Sequence, residues 1–195
     1  MLPLSSRAAQ EAFGLRFKQT GFTLIELLVV MTIAIILLSL AVPAMTGMLN
    51  TQKVSSFGSS FLAGLNFARS EAIKRNARAV LCKSSDGLSC ASSGGWEQGW
   101  IVFHDVNNNA ALDTGEQVIV QQGAVSQGLR LTGNTQVASY VSYSASGSAK
   151  LISGAFQAGT FTLCLVPVSS GDVRQIVLSS TGRARLQRGS SSDCS

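Results

Sequence analysis

Gly21-Phe22-Thr23-Leu24-Ile25-Glu26 opens the stretch that decides how the rest of this 195-residue chain is read. From Phe22 to Val42 the residues are apolar or small, and Glu26 is the only charged one among the 21. At about 1.5 Å rise per residue, a helix of this length crosses a hydrocarbon core roughly 30 Å thick. A carboxylate in such a helix costs roughly 2.5–3.5 kcal/mol near the centre and less near the end, so Glu26 asks for a partner. Cleavage after Gly21 would supply one. The new α-amino group of Phe22 could pair with Glu26 of its own chain or of a neighbour in a helical stack.

Outward from that run, residues 1–21 carry Arg7, Arg16 and Lys18 against Glu11 and lack an apolar secretory core. They read as a cytoplasmic leader that obeys the positive-inside rule. The expected division is a leader over 1–21, a membrane or filament-core helix over 22–50, and an exported domain over 51–195. Pro43 removes a backbone hydrogen bond and crowds the preceding turn, so a kink, a local melting or the end of the helix is expected there.

Beyond it the period stays helical but becomes amphipathic. Val54, Phe57, Phe61, Leu65, Ala68 and Ala72 recur at steps of three or four, which predicts a helix over 51–77 with one face for a core. From residue 79 the period shortens to that of strands, with turns rich in glycine and serine. The expected strands are 79–83, 100–104, 117–121, 129–131, 137–143, 160–166, 175–180 and 183–187. Many short strands behind one long helix predict an α+β fold, with an antiparallel β-sheet packed on that helix.

The formal charge of +5 is partly the leader's; from Phe22 onward twelve basic side chains face nine acidic ones. That excess is too small to announce a nucleic-acid ligand, so the distribution of charge must decide. Cys82, Cys90, Cys164 and Cys194 all follow the apolar run. An even number in an exported domain points to disulfides, with three possible pairings. The local pairs Cys82–Cys90 and Cys164–Cys194 are favoured, the second tying down the C-terminus. No CxxC spacing and a single histidine, His104, argue against a metal held by these thiols.

The Gly21, Phe22 and Glu26 pattern resembles the prepilin signature of the type IV pilin and type II secretion pseudopilin superfamily. The resemblance implies a pilin fold, cleavage by a prepilin peptidase, N-methylation of Phe22 and assembly with other major and minor pilins. It also implies residence in the inner membrane, with the domain periplasmic, before incorporation into an extracellular pilus. Residues 67–76 look like the helix ending of the FimT/GspH family; their basic side chains read as a solvated helix face.

Two constellations follow. Asp105, Asn107, Asn109, Asp113 and Glu116 have the spacing of a calcium loop. Ala110 stands where that loop needs glycine, and strands flank it, so turn capping by Asp and Asn is the simpler expectation. In the second, Gly182-Arg183-Ala184-Arg185 is expected to form a tight turn and strand with both arginines on one face, Arg174 and Arg188 widening the patch. Two guanidiniums on a ridge suit successive phosphates of double-stranded DNA. The stretch resembles the GRxR motif of FimT-type pilins, which bind DNA in natural transformation. For Gly182, Arg183 and Arg185 the resemblance implies that role; a purely structural hairpin, as in GspH-type assembly pilins, is the rival. No Ser/His/Asp set, phosphate-cradling loop or unpaired thiol suggests an enzyme or a cofactor. Trp96, Trp100, Tyr140 and Tyr143 read as core and turn residues.

Overall fold

The computed structural model describes residues 21–125, 128–166 and 173–194. The chain divides into two compact units, Met1–Ala44 and Met45–Ser195. One helix, α1 (Leu24–Arg75), contributes to both.

In the first unit, Thr23 and Glu26 cap the start of α1 reciprocally. The Thr23 hydroxyl oxygen accepts the Glu26 N–H at 3.3 Å, and Glu26 Oε2 accepts the Thr23 N–H at 3.1 Å and its hydroxyl at 3.2 Å. This Thr-x-x-Glu capping box satisfies N–H groups that have no intrahelical partner. The large apolar side chains between Leu24 and Val42 are exposed, and the helix is long and apolar enough to cross a membrane. Pro43 does not end it: α1 runs on to Arg75. A proline interrupts the ladder only locally, and the helical turns on both sides keep their bonds.

In the second unit, the stripe Val54, Phe57, Phe61, Leu65, Ala68 and Ala72 is buried throughout. The helix stops where Asn76 turns left-handed at φ 51° and the Ala77 N–H reaches back to the Ala72 carbonyl at 3.2 Å. The strands are β1 (Ala79–Lys83), β2 (Trp100–His104), β3 (Val118–Gln122), β4 (Leu129–Gly133), β5 (Tyr140–Tyr143), β6 (Gly159–Leu165), β7 (Arg174–Leu178) and β8 (Ala184–Arg188). They form two sheets where the sequence suggested one, ordered β3-β2-β1-β5 and β4-β6-β7-β8, with every pair antiparallel. The strand expected over 137–143 begins only at Tyr140. Val137 ends a 3₁₀ turn instead, buried in the core, and its carbonyl takes the Trp96 indole N–H at 3.1 Å.

Both sheets lean on the helix stripe. Phe61 meets Trp96, Trp100 and Phe161 edge-on, with ring centroids 5.3, 5.1 and 4.8 Å away. One helical side chain therefore joins the first sheet through Trp100 to the second through Phe161. Gly64 lets the Trp100 indole approach the helix, since a Cβ there would lie 2.9 Å from its nitrogen.

Candidate functional site

The arginine segment lies on the hairpin between β7 and β8, at the edge of the second sheet. Its turn is closed by the Gly182 N–H to Ser179 O at 2.9 Å and the Ser179 N–H to Arg183 O at 3.0 Å. Gly182 is buried with φ +78°, and a Cβ would collide with the Gly147 carbonyl, so both conformation and space demand glycine there. Arg69 reaches from α1 to fasten this corner. Its Nε donates to Gly147 O at 2.8 Å and its Nη2 to Thr181 O at 3.4 Å.

Arg69 is thus not part of a solvated helix face, contrary to the reading of residues 67–76. Lys74 and Arg75 do lie on the exposed helix face, as that reading has it, and pair there with the buried Glu71 at 3.5 and 3.1 Å. Near Arg69, the Tyr143 hydroxyl is buried and has no hydrogen-bond partner among the described residues. Burial pushes its pKa above the ordinary range, against the opposing charge of Arg69.

Arg183 sits in the turn, because β8 begins only at Ala184. Arg183 and Arg185 are exposed, and among the described residues neither guanidinium has an ion pair or side-chain hydrogen bond. With Val177, Ser179 and Ala184 they line a groove of about 500 Å³. Ala184 and Leu186 point the other way and pack against the core.

The same alternation divides the wider patch between the two sides of the sheet. Arg188 pairs with Arg174, Leu186 with buried Ile176, and Arg185 with Val177. Successive side chains of a strand point to opposite faces, so Arg174 and Arg188 belong to the core-facing side at the sheet's end, opposite Arg185. The outer face near Arg185 is polar instead. Register sets Thr132, Thr162, Gln175 and Gln187 in one row across all four strands. Within that row Gln187 donates to Gln175 at 3.0 Å, and Gln175 donates to Asp193 at 3.0 Å.

The loop 105–116 spends its carboxylates on its own backbone and side-chain amides. Buried Asp105 accepts the N–H groups of Asn109 and Ala110 at 3.1 and 3.0 Å, and Glu116 accepts those of Val106 and Asp113 at 2.8 and 3.1 Å. Asp113 takes both amides of Asn107 and Asn109 at 2.7 and 2.6 Å. Among the described residues no group of three or more His, Cys, Asp or Glu could hold a metal ion. Ala110 adopts φ 57° without being glycine. The loop instead brings Ala110 and Leu112 onto Val80, Ile101 and Phe103, covering the face of the first sheet that is turned away from α1. The structure joins Cys82 to Cys90 and Cys164 to Cys194, with Cα atoms 5.6 and 6.1 Å apart. Trp96, Trp100 and Tyr143 are buried, and Tyr140 is half-buried.

A family model described as type II transport protein GspH matches residues 58–182, and one for the prokaryotic N-terminal methylation motif matches residues 16–42. The chain is 34% identical over 170 residues to the pilin-like protein PilA1 of Thermus thermophilus, covering 86% of this chain and 97% of that protein. Solved structures similar to it include the type IV minor pilin FimU of Pseudomonas aeruginosa, with a TM-score of 0.49 and 19% identity over 72% of this chain and 91% of that one. The minor pseudopilin EpsH of the Vibrio cholerae type 2 secretion system gives a TM-score of 0.48 and 12% identity, over 70% and 97%.

A methylation motif on an apolar helix, followed by a β-rich domain, defines the pilin-like class of filament subunit. Within that class this chain belongs to the GspH family, the minor pilins of the FimT/GspH kind. Membership implies association with other pilins and processing by a prepilin peptidase, and the apolar helix fits anchoring in the inner membrane.

Proposed function

We propose that this minor pilin binds double-stranded DNA without sequence preference through Arg183 and Arg185 on the Gly182 hairpin, and serves DNA uptake in natural transformation. The observation that carries the reading is that both side chains are exposed and, among the described residues, unpaired, Arg183 in a turn held from behind by Arg69 and Arg185 on the strand that follows. Arginine forks with no internal acceptor are available for phosphate, and each phosphate contact releases counterions. A single hairpin binds weakly; several subunits along one filament multiply the effect.

In this reading the peptidase cuts between Gly21 and Phe22, and Glu26 then receives the Phe22 ammonium. The leader stays cytoplasmic, and the domain stands in the periplasm until it enters an extracellular pilus. The test is Arg183→Gln with Arg185→Gln in the full chain in nonionic detergent, assayed by gel shift across a salt series. Affinity falls and the slope of log K against log salt flattens by about 1.8, as two lost phosphate contacts require. Unchanged affinity at fixed low salt removes the reading.

A second reading has its own support in the family match to a secretion-system protein. There the subunit primes assembly of a type IV pilus or a type II secretion filament, and the hairpin touches only neighbours. Loss of piliation or secretion in the deletion strain favours it; loss of DNA uptake with filaments intact favours the first.

A further inference from the structure

The hairpin after β5 holds a phenyl ring out in water. Lys150 and Phe156 face each other as an isolated antiparallel bridge. The loop between them is closed by the Leu151 N–H to Ala155 O at 2.8 Å and the Gly154 N–H to Leu151 O at 2.9 Å. Buried Gln157 fixes its base. Its amide donates to the carbonyls of Gln136 and Tyr140 at 2.7 and 2.9 Å and accepts the Ser142 N–H at 3.0 Å. The Tyr140 hydroxyl accepts the Ile152 N–H at 3.3 Å. Phe156 is nevertheless 65% exposed, with Lys150 Nζ 5.5 Å from its ring centroid. Ile152 on the same loop is exposed as well, so the loop offers a small apolar surface beside a cation.

Two observations point to the occupant. The Ala149 N–H donates to Ser180 O at 3.2 Å, so this loop and the arginine turn are bonded neighbours. From Gln117 to Gly171 the sequence contains Arg130 and Lys150 but no carboxylate. A surface that offers cations beside an exposed ring face suits a ligand alternating fixed negative charge with flat apolar plates. A single nucleic-acid strand is such a ligand; an intact duplex keeps its plates inside.

We propose that Phe156, flanked by Lys150, stacks an unpaired base, so that the surface begun by Arg183 and Arg185 takes single-stranded or locally opened DNA as well as duplex backbone. This rests on the arginine reading above for its setting, but its test separates the two. The full chain in nonionic detergent is titrated with oligothymidine and with a duplex of equal length by fluorescence anisotropy. Phe156→Ser lowers single-strand affinity by about tenfold, as expected for one lost stacked base, and leaves duplex affinity unchanged. Phe156→Trp keeps or raises single-strand affinity, which guards against a folding artefact. Arg183→Gln with Arg185→Gln weakens both ligands.

An unchanged ratio of single-strand to duplex affinity in Phe156→Ser overturns the stacking site, whatever the arginine variant does. Loss of filament incorporation at that unchanged ratio assigns the ring to a neighbouring pilin and overturns it equally. A changed ratio with an unaffected arginine variant keeps the stacking site and removes the arginine reading.

Discussion

The two sheets of the second unit solve the same problem differently. The first is buried on both faces: α1 covers one, and the loop 105–116 with Cys90 and Tyr140 covers the other. Its central strands accordingly read as unbroken apolar runs, Ala79-Val-Leu-Cys and Trp100-Ile-Val-Phe. The second sheet is buried on one face only, and its strands alternate, as in Leu129-Arg-Leu-Thr. The covered sheet is scaffold. The open one presents threonine, glutamine and arginine to whatever the subunit meets.

The largest effect should come from the residue that serves both sheets. Phe61→Ala is expected to cost about 3–5 kcal/mol and to melt both sheets in one transition in denaturant titrations of the full chain. Separate transitions would break the picture of a shared core. Removing the Cys164–Cys194 bridge by double serine substitution should cost about 2–4 kcal/mol. The Cys82–Cys90 bridge should cost about 1 kcal/mol less, because its partners are 8 residues apart and not 30.

Asp105→Ala strips two backbone N–H groups of their acceptor and is expected to cost about 1–3 kcal/mol. Hydrogen exchange should then rise over 106–116 and on the first sheet, and stay put on β6 and β7. Arg174→Gln with Arg188→Gln, on the core-facing side, should leave both DNA affinity and its salt slope unchanged, whereas the Arg183 and Arg185 pair changes them. Equal effects of the two pairs would erase the distinction between faces.

The smallest effect concerns pH. Hydrogen bonds from the Leu88 N–H first, then from the Ser89 hydroxyl and N–H, hold the Asp86 carboxyl well below the usual carboxylate range. Its contribution to stability is therefore complete above the unfolded value of about 3.9 and is lost as pH falls toward the depressed folded value. An NMR titration should find Asp86 still ionised at about pH 3.5.

The helix was legible because a period of 3.6 survives in any setting: all six stripe residues from Val54 to Ala72 are buried as the pattern requires. The strands were legible in number and near their ends, but not their division into two sheets, since pairing is a property of register between distant segments. The side of the sheet that Arg174 and Arg188 take was hidden for the same reason. Charge density along the chain says nothing about parity across a hairpin. Arg69 left no signal at all, because its acceptors are main-chain carbonyls 78 and 112 residues away. Glu26 is the opposite case. The Thr23-x-x-Glu26 spacing spells a capping box, which the oddity of an acid in an apolar run overshadowed.

Among the described residues, β8 is bonded along one side only, to β7. An edge strand tugged from its end unzips pair by pair, which demands little force at each step. Here the residues just beyond it are bolted through Cys194 to Cys164 on β6, an interior strand. Peeling meets a covalent stop, and the load passes into the middle of the sheet. An edge strand fastened in this way resists tension applied from its C-terminal end.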